Sequence, residues 1–283
     1  MYSIDRALVL GAGGLVGTAW MAGVACGLRR KGVDLGGADL TVGTSAGAIT
    51  AALLATGQDP DRLATPVRPA DSNSIPPRVD GRRLGEAFAV LGDAGSNPAE
   101  AWRRVGQIAL VAETGPEQAH VARMGAMVGV DQWPDRKLLI TAMDAETGEP
   151  AVFDRSSGAP LPNAVAASTA FPGIYPPITI NGRRYMDGSL RSATNAGLAA
   201  GAGTLLVVDP QAHLFPGDLH KELMAAGAHT VVTIEPDPAS IRAFGSDLND
   251  RTTWEPAYQA GLRQAADAAE RLCSIWKAGF VTD

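Results

Sequence analysis

The chain has too little of several things that define other protein classes. It carries only two cysteines, Cys26 and Cys273, among 283 residues. Two cannot build a disulfide framework or a cysteine-based zinc site. Both lie in apolar, helix-like contexts and read as core thiols. The four histidines, His120, His213, His220 and His229, show no paired spacing of the kind metal ligands need. No cysteine- or histidine-based metal site is therefore expected, and no cofactor is called for. Excess positive charge is missing too. Lys and Arg number 24 against 30 Asp and Glu, a net charge of −6, which offers no broad attraction for nucleic acid or for an anionic membrane. At 19% charged residues the chain is too apolar for a disordered protein. It has no run of about 18 apolar residues, so nothing is expected to span a bilayer. No basic and then apolar leader precedes the first strand. The default expectation is a soluble, cytoplasmic protein, with a transient contact at a membrane surface left open.

What is present is a strand–turn–helix rhythm. Ala7–Leu10 reads as a strand running into the glycine turn Gly11–Gly17 and a helix to about Lys31, with Val16, Trp20, Val24 and Leu28 on one stripe. Leu40–Val42 leads into a second tight turn and the apolar helix Ala48–Thr56. Later strands read as Lys137–Met143, Ala151–Phe153, Arg183–Met186, Leu205–Asp209 and Val231–Ile234, with a closing helix over Trp254–Trp276. Asn181-Gly182, between Ile178–Ile180 and Arg183–Tyr185, is a two-residue hairpin signal. Strands alternating with helices predict a mostly parallel sheet covered on both faces. Residues 58 to about 133 break the rhythm. Thr65–Arg83 reads as a loop, Pro98–Ala112 as a helix, and Val121–Trp133 as a Met-rich segment. This stretch is a mostly helical cap inserted into one domain spanning 1–283, or an ordinary helical layer with a long loop. As a cap, Trp102–Ile108 and Met124–Trp133 would line an apolar pocket.

Two turns carry the chemistry. Gly43-Thr44-Ser45-Ala46-Gly47 is a G-x-S-x-G between a strand and a helix. A nucleophilic serine on such an elbow sits in strained backbone, so Gly43 and Gly47 must be small. The following helix aims its N–H groups at charge forming there. The bland reading is a serine that only caps the helix. The other turn, Gly11-Ala12-Gly13-Gly14-Leu15-Val16-Gly17, points backbone N–H groups at an anion. It misfits a dinucleotide fingerprint in either register, and the second strand ends without an acidic residue. Both turns fall at the carboxyl ends of neighbouring strands, where a hydroxyl and a row of N–H donors can converge on one carbonyl. For the base, the residues leave two options open. His213, His220 or His229 would complete a Ser-His triad in chain order. Asp187, at a strand end and followed by Gly188-Ser189, would act directly, unless it only bonds its own turn.

Together these segments resemble the patatin-like phospholipase family. Leu8–Gly17 is similar to its glycine-rich oxyanion box, and Gly43–Gly47 to its nucleophile elbow. Ala167–Gly173 with Pro176-Pro177 resembles its Pro-rich segment, and Asp187-Gly188-Ser189 its Asp-Gly box. The ordered resemblance spans roughly residues 5–210. It implies a three-layer α/β/α sandwich and hydrolysis of lipid acyl esters by a Ser45–Asp187 dyad without histidine. It also implies an oxyanion hole from Gly13 and Gly14, supported by the turns at Ala12, Gly17, Gly43, Gly47, Gly188 and Ser189. Ala12 stands where the family has its first glycine, Val16 where it has an arginine, and Ser189 where it has a small Gly or Ala. The expected partner is a lipid or other acyl-ester substrate, and no nucleic acid. The alternative function is a nucleotide- or lipid-binding α/β protein without hydrolase activity.

Overall fold

The computed structural model describes residues 4–66, 78–93, 95 and 97–276. Eight strands form one sheet: β1 Arg6–Leu10, β2 Leu40–Gly43, β3 Lys137–Asp144, β4 Pro150–Phe153, β5 Ile178–Ile180, β6 Arg183–Asp187, β7 Thr204–Val208 and β8 Thr230–Ile234. The helices are α1 Gly14–Arg30, α2 Ala46–Ala55, α3 Gly81–Gly92, α4 Pro98–Val111, α5 Glu117–Val128, α6 Leu161–Ser168, α7 Pro216–Ala226, α8 Pro238–Phe244 and α9 Trp254–Leu272. Strand order is β5-β6-β3-β2-β1-β7-β8, with β4 also on β3. The run from β3 to β8 is parallel, while β4, β5 and β6 pair antiparallel.

Alternation along the strands sorts the layers. Leu8, Leu10, Leu206 and Val208 face one way, toward α1, α2, α5, α6 and α9, and form the main core. Ala7, Val9, Leu40, Val42, Leu205 and Val207 face the other way, toward α7 and the short 3-10 turn Ala196–Ala199. At the β3–β6 end, Met143 and Met186 pack with Ala87 of α3 and Val105 and Ala109 of α4. The result is helix, mixed sheet and helix in three layers. The periodic stripe expected on α1 is there, but α1 is buried on nearly every side. The sheet covers one side and α9 the other. A Cβ on Gly261 would stand 2.1 Å from the Trp20 carbonyl oxygen, so the two helix backbones touch.

Most expected elements lie within a residue or two of their sequence positions. Asn181 and Gly182 both have positive φ, 51° and 79°, as a type I′ hairpin turn requires. Three findings differ. The loop read over Thr65–Arg83 gives way to α3 at Gly81, because Asp80 caps the helix by accepting from the Arg83 N–H; residues 67–77 of that loop lie outside the described residues. The Met-rich segment is a helix only to Val128, where Gly129 turns left-handed. Its Met124 and Met127 belong to the main core with α2 and α6. Cys26 is buried as expected, whereas Cys273 is half-buried just past α9. Among the described residues, no helix is long and apolar enough to cross a membrane.

Candidate active site

The site forms where two strands run head-on. Ile140 of β3 pairs with Gly43 of β2 on one edge and with Phe153 of β4 on the other. Two residues on, Ala142 pairs with Ala151 of β4 and with Asp187 of β6. A strand residue has one neighbour per edge, so β6 lies on the same edge of β3 as β2. The carboxyl ends of β2 and β6 therefore face each other across Thr141, with registers roughly 7 Å apart. The elbow Thr44-Ser45 closes one end and the Asp187-Gly188 turn the other.

Across that junction the Ser45 hydroxyl donates to Asp187 Oδ2 at 2.8 Å. Ser45 has φ 53° and ψ −118°, a conformation a non-glycine residue holds only under strain of about 1–3 kcal/mol. Tight packing enforces it. A Cβ on Gly47 would meet the Leu10 carbonyl oxygen at 1.9 Å, and one on Gly43 would meet Ala51 Cβ at 2.7 Å. No larger residue fits beside the elbow. Gly188 is equally confined, its Cβ position lying 2.4 Å from Thr141 Oγ1. Asp187 Oδ1 accepts from the Ser189 N–H at 2.9 Å, which orients the carboxylate. Asp187 is 2% exposed and Ser45 9%, so both are buried, the serine less completely. Burial pushes the Asp187 carboxyl up from 3.8 to about 6, against the Ser189 N–H and the Ser45 hydroxyl, which pull it down.

The glycine turn lies beside the elbow, since β1 pairs with β2. Gly14 opens α1 at φ 62°, and its Cβ position is 2.6 Å from the Leu248 carbonyl oxygen, so only glycine fits. Among the described residues the N–H groups of Gly13, Gly14 and Ala46 have no acceptor. The N–H of Ala12 is committed to the Ala193 carbonyl and that of Val16 to the Leu248 carbonyl. Gly17 packs on Pro210. Val16 is fully buried in the main core, so its side chain packs rather than reaching the site. A second buried carboxyl, Asp209, ends β7 behind Gly11; burial, then the charges of Glu235 and Glu222, push it up to about 6.

Among the described residues no histidine hydrogen-bonds Ser45 or Asp187. His120 is buried, pairs through Nε2 with Thr169 Oγ1 at 2.9 Å and stacks on Tyr175. Burial, with the Arg123 charge, holds it down at about 3. His213 contacts Phe244 instead.

Several residues around the site have roles that the motifs do not assign: Ser168 and Thr44 lie within quoted segments, whereas Thr141 and Asn195 lie outside them. Ser168 Oγ accepts the Ser45 N–H at 2.9 Å. Thr44, Thr141 and Asn195 share a buried set of hydrogen bonds beneath the junction. The one hint in the sequence is that Thr141 is polar between Leu139-Ile140 and Ala142-Met143.

The patatin-like phospholipase family model matches residues 8–200, more than half the chain. No curated protein sequence matches. Thirteen chains of solved structures show similarity, among them the following three. VipD from Legionella pneumophila aligns at 12% identity and TM-score 0.46, over 95% of this chain and 67% of that one. The type III effector protein ExoU aligns at 17% identity and TM-score 0.39, over 94% and 53%. ExoU in its complex with SpcU, from the type III secretion system of Pseudomonas aeruginosa, aligns at 20% identity and TM-score 0.38, over 95% and 52%. The chain spans about half the length of the two ExoU chains.

Proposed function

We propose, from the premise that this chain belongs to the patatin-like phospholipase family, that it hydrolyses carboxylic ester bonds of lipids with Ser45 as nucleophile and Asp187 as base. The observation that carries this reading is the 2.8 Å hydrogen bond from a strained serine to a buried carboxylate. In acylation Ser45 Oγ attacks the ester carbonyl as its proton passes to Asp187 Oδ2. The oxyanion that forms accepts from the N–H groups of Gly13 and Gly14, and from Ala46, the residue after the nucleophile. The positive end of α2 favours the same charge. The tetrahedral intermediate collapses by breaking the bond to the alcohol, which takes the proton from Asp187. Water then attacks the acyl-enzyme and gives a proton to Asp187, and Ser45 Oγ takes it back as the acid leaves.

A carboxylate is a weak base for a hydroxyl. Burial answers part of that objection, since a pKa near 6 makes Asp187 a stronger base than an exposed aspartate. The Ser189 N–H keeps the reacting oxygen, Oδ2, directed at Ser45. The mechanism calls on no metal or nucleotide.

α3 and the adjoining Phe171–Gly173 loop form the wall along which an acyl chain would lie. Asp80 N–H donates to the Gly173 carbonyl at 2.8 Å, and Phe88, 57% exposed, packs against Phe171. In this reading α3 and α4 are the cap.

A fluorophosphonate probe and a p-nitrophenyl ester series of rising chain length test the proposal. Wild type should be labelled and should turn over the esters, and Ser45→Ala should do neither. A folded wild type that is neither labelled nor active would refute the hydrolase and leave a nucleotide- or lipid-binding protein.

A further inference from the structure

The head-on meeting of β2 and β6 leaves a gap in the ladder on β3, and side chains fill it. Thr141 sits in that gap on the face shared by Leu139 and Met143, between two apolar clusters. Its hydroxyl donates to Thr44 Oγ1 at 2.9 Å, and Thr44 is the residue before the nucleophile. The Thr44 hydroxyl passes its own proton to the Thr194 carbonyl at 3.3 Å. Asn195 Nδ2 donates to Thr44 Oγ1 at 3.1 Å and to the Ser192 carbonyl at 2.9 Å, while its Oδ1 accepts from Arg191 at 3.0 Å. Longer contacts run from Thr141 Oγ1 to the Gly43 carbonyl at 3.4 Å and from Asn195 Nδ2 to Thr141 Oγ1 and the Gly188 carbonyl at 3.5 Å, and the guanidinium fixes which way the amide faces. Asn195 holds a left-handed backbone, φ 52°, and Glu222 of α7 fastens the residues on either side of it, accepting from Thr194 Oγ1 and from the Ala196 N–H.

We propose that Thr141 and Asn195 are positioning residues for the reaction, holding the two opposed strand ends at the separation that lets Ser45 donate to Asp187. The proposal rests on the hydrolase reading for its kinetic consequences, but its geometric content stands apart from it. No ladder hydrogen bond joins β2 to β6, since both pair with β3 rather than with each other. Besides the Ser45–Asp187 bond, two sets of contacts tie the junction: these side chains with the Thr141 backbone on one face, and the end of α6 on the other, where Ser168 Oγ accepts the Ser45 N–H and the Ala170 carbonyl accepts the Asp187 N–H. Thr141 and Asn195 touch neither reacting atom. Their loss should therefore change how often the hydroxyl and the carboxylate meet in line, and a misplacement of about 1 Å is enough to cost roughly a hundredfold in rate.

Thr141→Val keeps the shape of the side chain and removes the donor, whereas Thr141→Ser restores it. Asn195→Gly keeps the left-handed backbone and removes the amide. The expected result is a fall of about tenfold to a hundredfold in kcat and in the rate of fluorophosphonate labelling for Thr141→Val and Asn195→Gly. KM should stay within about twofold, and Thr141→Ser should recover most of the loss, because the hydrogen bond and not mere packing is what counts. A second measurement needs no turnover. The coupling between Ser45→Ala and Asp187→Asn in urea unfolding should be present in the parent chain and lost in the Thr141→Val background. Unchanged kcat in folded Thr141→Val and Asn195→Gly would overturn the proposal, as would equal losses in the Val and Ser variants. If the wild type neither labels nor turns over esters, the hydrolase reading fails on its own, and the coupling measurement still decides the positioning role.

Discussion

Replacing Asp187 by Asn should inactivate the protein and stabilise it, by an amount that depends on pH. In the folded state burial raises this carboxyl from 3.8 to about 6. A shift of that size corresponds to about 3 kcal/mol favouring the neutral over the charged form. Linkage sets the sign. Below about pH 4 the carboxyl is protonated in both folded and unfolded chains, and its neutral form costs the fold nothing. Between about pH 4 and 6 the folded chain holds a proton that the unfolded chain releases, so stability falls as pH rises. Above about 6 the charge is fully buried and the full cost, on the order of 3 kcal/mol, is in place. Asparagine is neutral throughout. Its amide oxygen can accept from the Ser189 N–H, and its NH2 group can donate to Ser45 Oγ. Urea unfolding of both proteins from pH 4 to pH 8 should give curves that converge at the acid end. Above pH 6 the variant should be more stable by about 3 kcal/mol, a rise of roughly 6 °C or more in Tm. Asp209 titrates in the same window but is common to both proteins and cancels in the difference. kcat should fall by several orders of magnitude, leaving what the oxyanion donors alone supply. A stability difference that does not change with pH, or a variant that keeps its activity, would refute the reasoning.

Other expectations are simpler. Activity should rise with pH through about 6, because Asp187 must be ionised to accept the proton; the limb should survive Gln at His120, His213, His220 and His229, which a histidine base would not allow. Gly261→Ala should cost about 3 kcal/mol in urea unfolding, since its Cβ would stand 2.1 Å from the Trp20 carbonyl oxygen, while activity per folded molecule stays the same. Met127→Thr should destabilise by about 2 kcal/mol without changing the chain-length preference, because Met127 is core. Phe88→Ala should do the reverse, weakening long-chain esters at little cost in stability, as an exposed wall residue would.

The elements that were legible in the sequence are those whose causes are local. The elbow at Gly43–Gly47, the turn at Gly11–Gly17 and the hairpin at Asn181-Gly182 are written in residues that tolerate unusual backbone or close approach, and each is found where its spacing puts it. Strand and helix order follows from periodicity in the same way. α3 escaped because Asp80-Gly81 looks like a turn when read alone and becomes a helix cap only together with the helical residues 82–92. Val16 could be read from the sequence as a missing cation. Its burial in the main core shows a packing role, which depends on the helices laid over it.

Which strand ends meet was not decided locally. Nothing in Arg183–Asp187 says that this strand takes the edge of β3 left open where β2 stops, and that choice is what brings Asp187 to Ser45. The pKa of Asp187 is likewise a tertiary property, since burial by residues distant in sequence sets it. Tertiary contacts also decide which backbone donors are taken: Ser168 takes the Ser45 N–H and Leu248 takes that of Val16, while those of Gly13, Gly14, Leu15 and Ala46 have no acceptor among the described residues. The sequence by itself determined the turns and the side chains they present, because backbone sterics act over a few residues. The alignment of hydroxyl and carboxylate came only with the sheet, because it depends on hydrogen bonds and burial between segments more than a hundred residues apart.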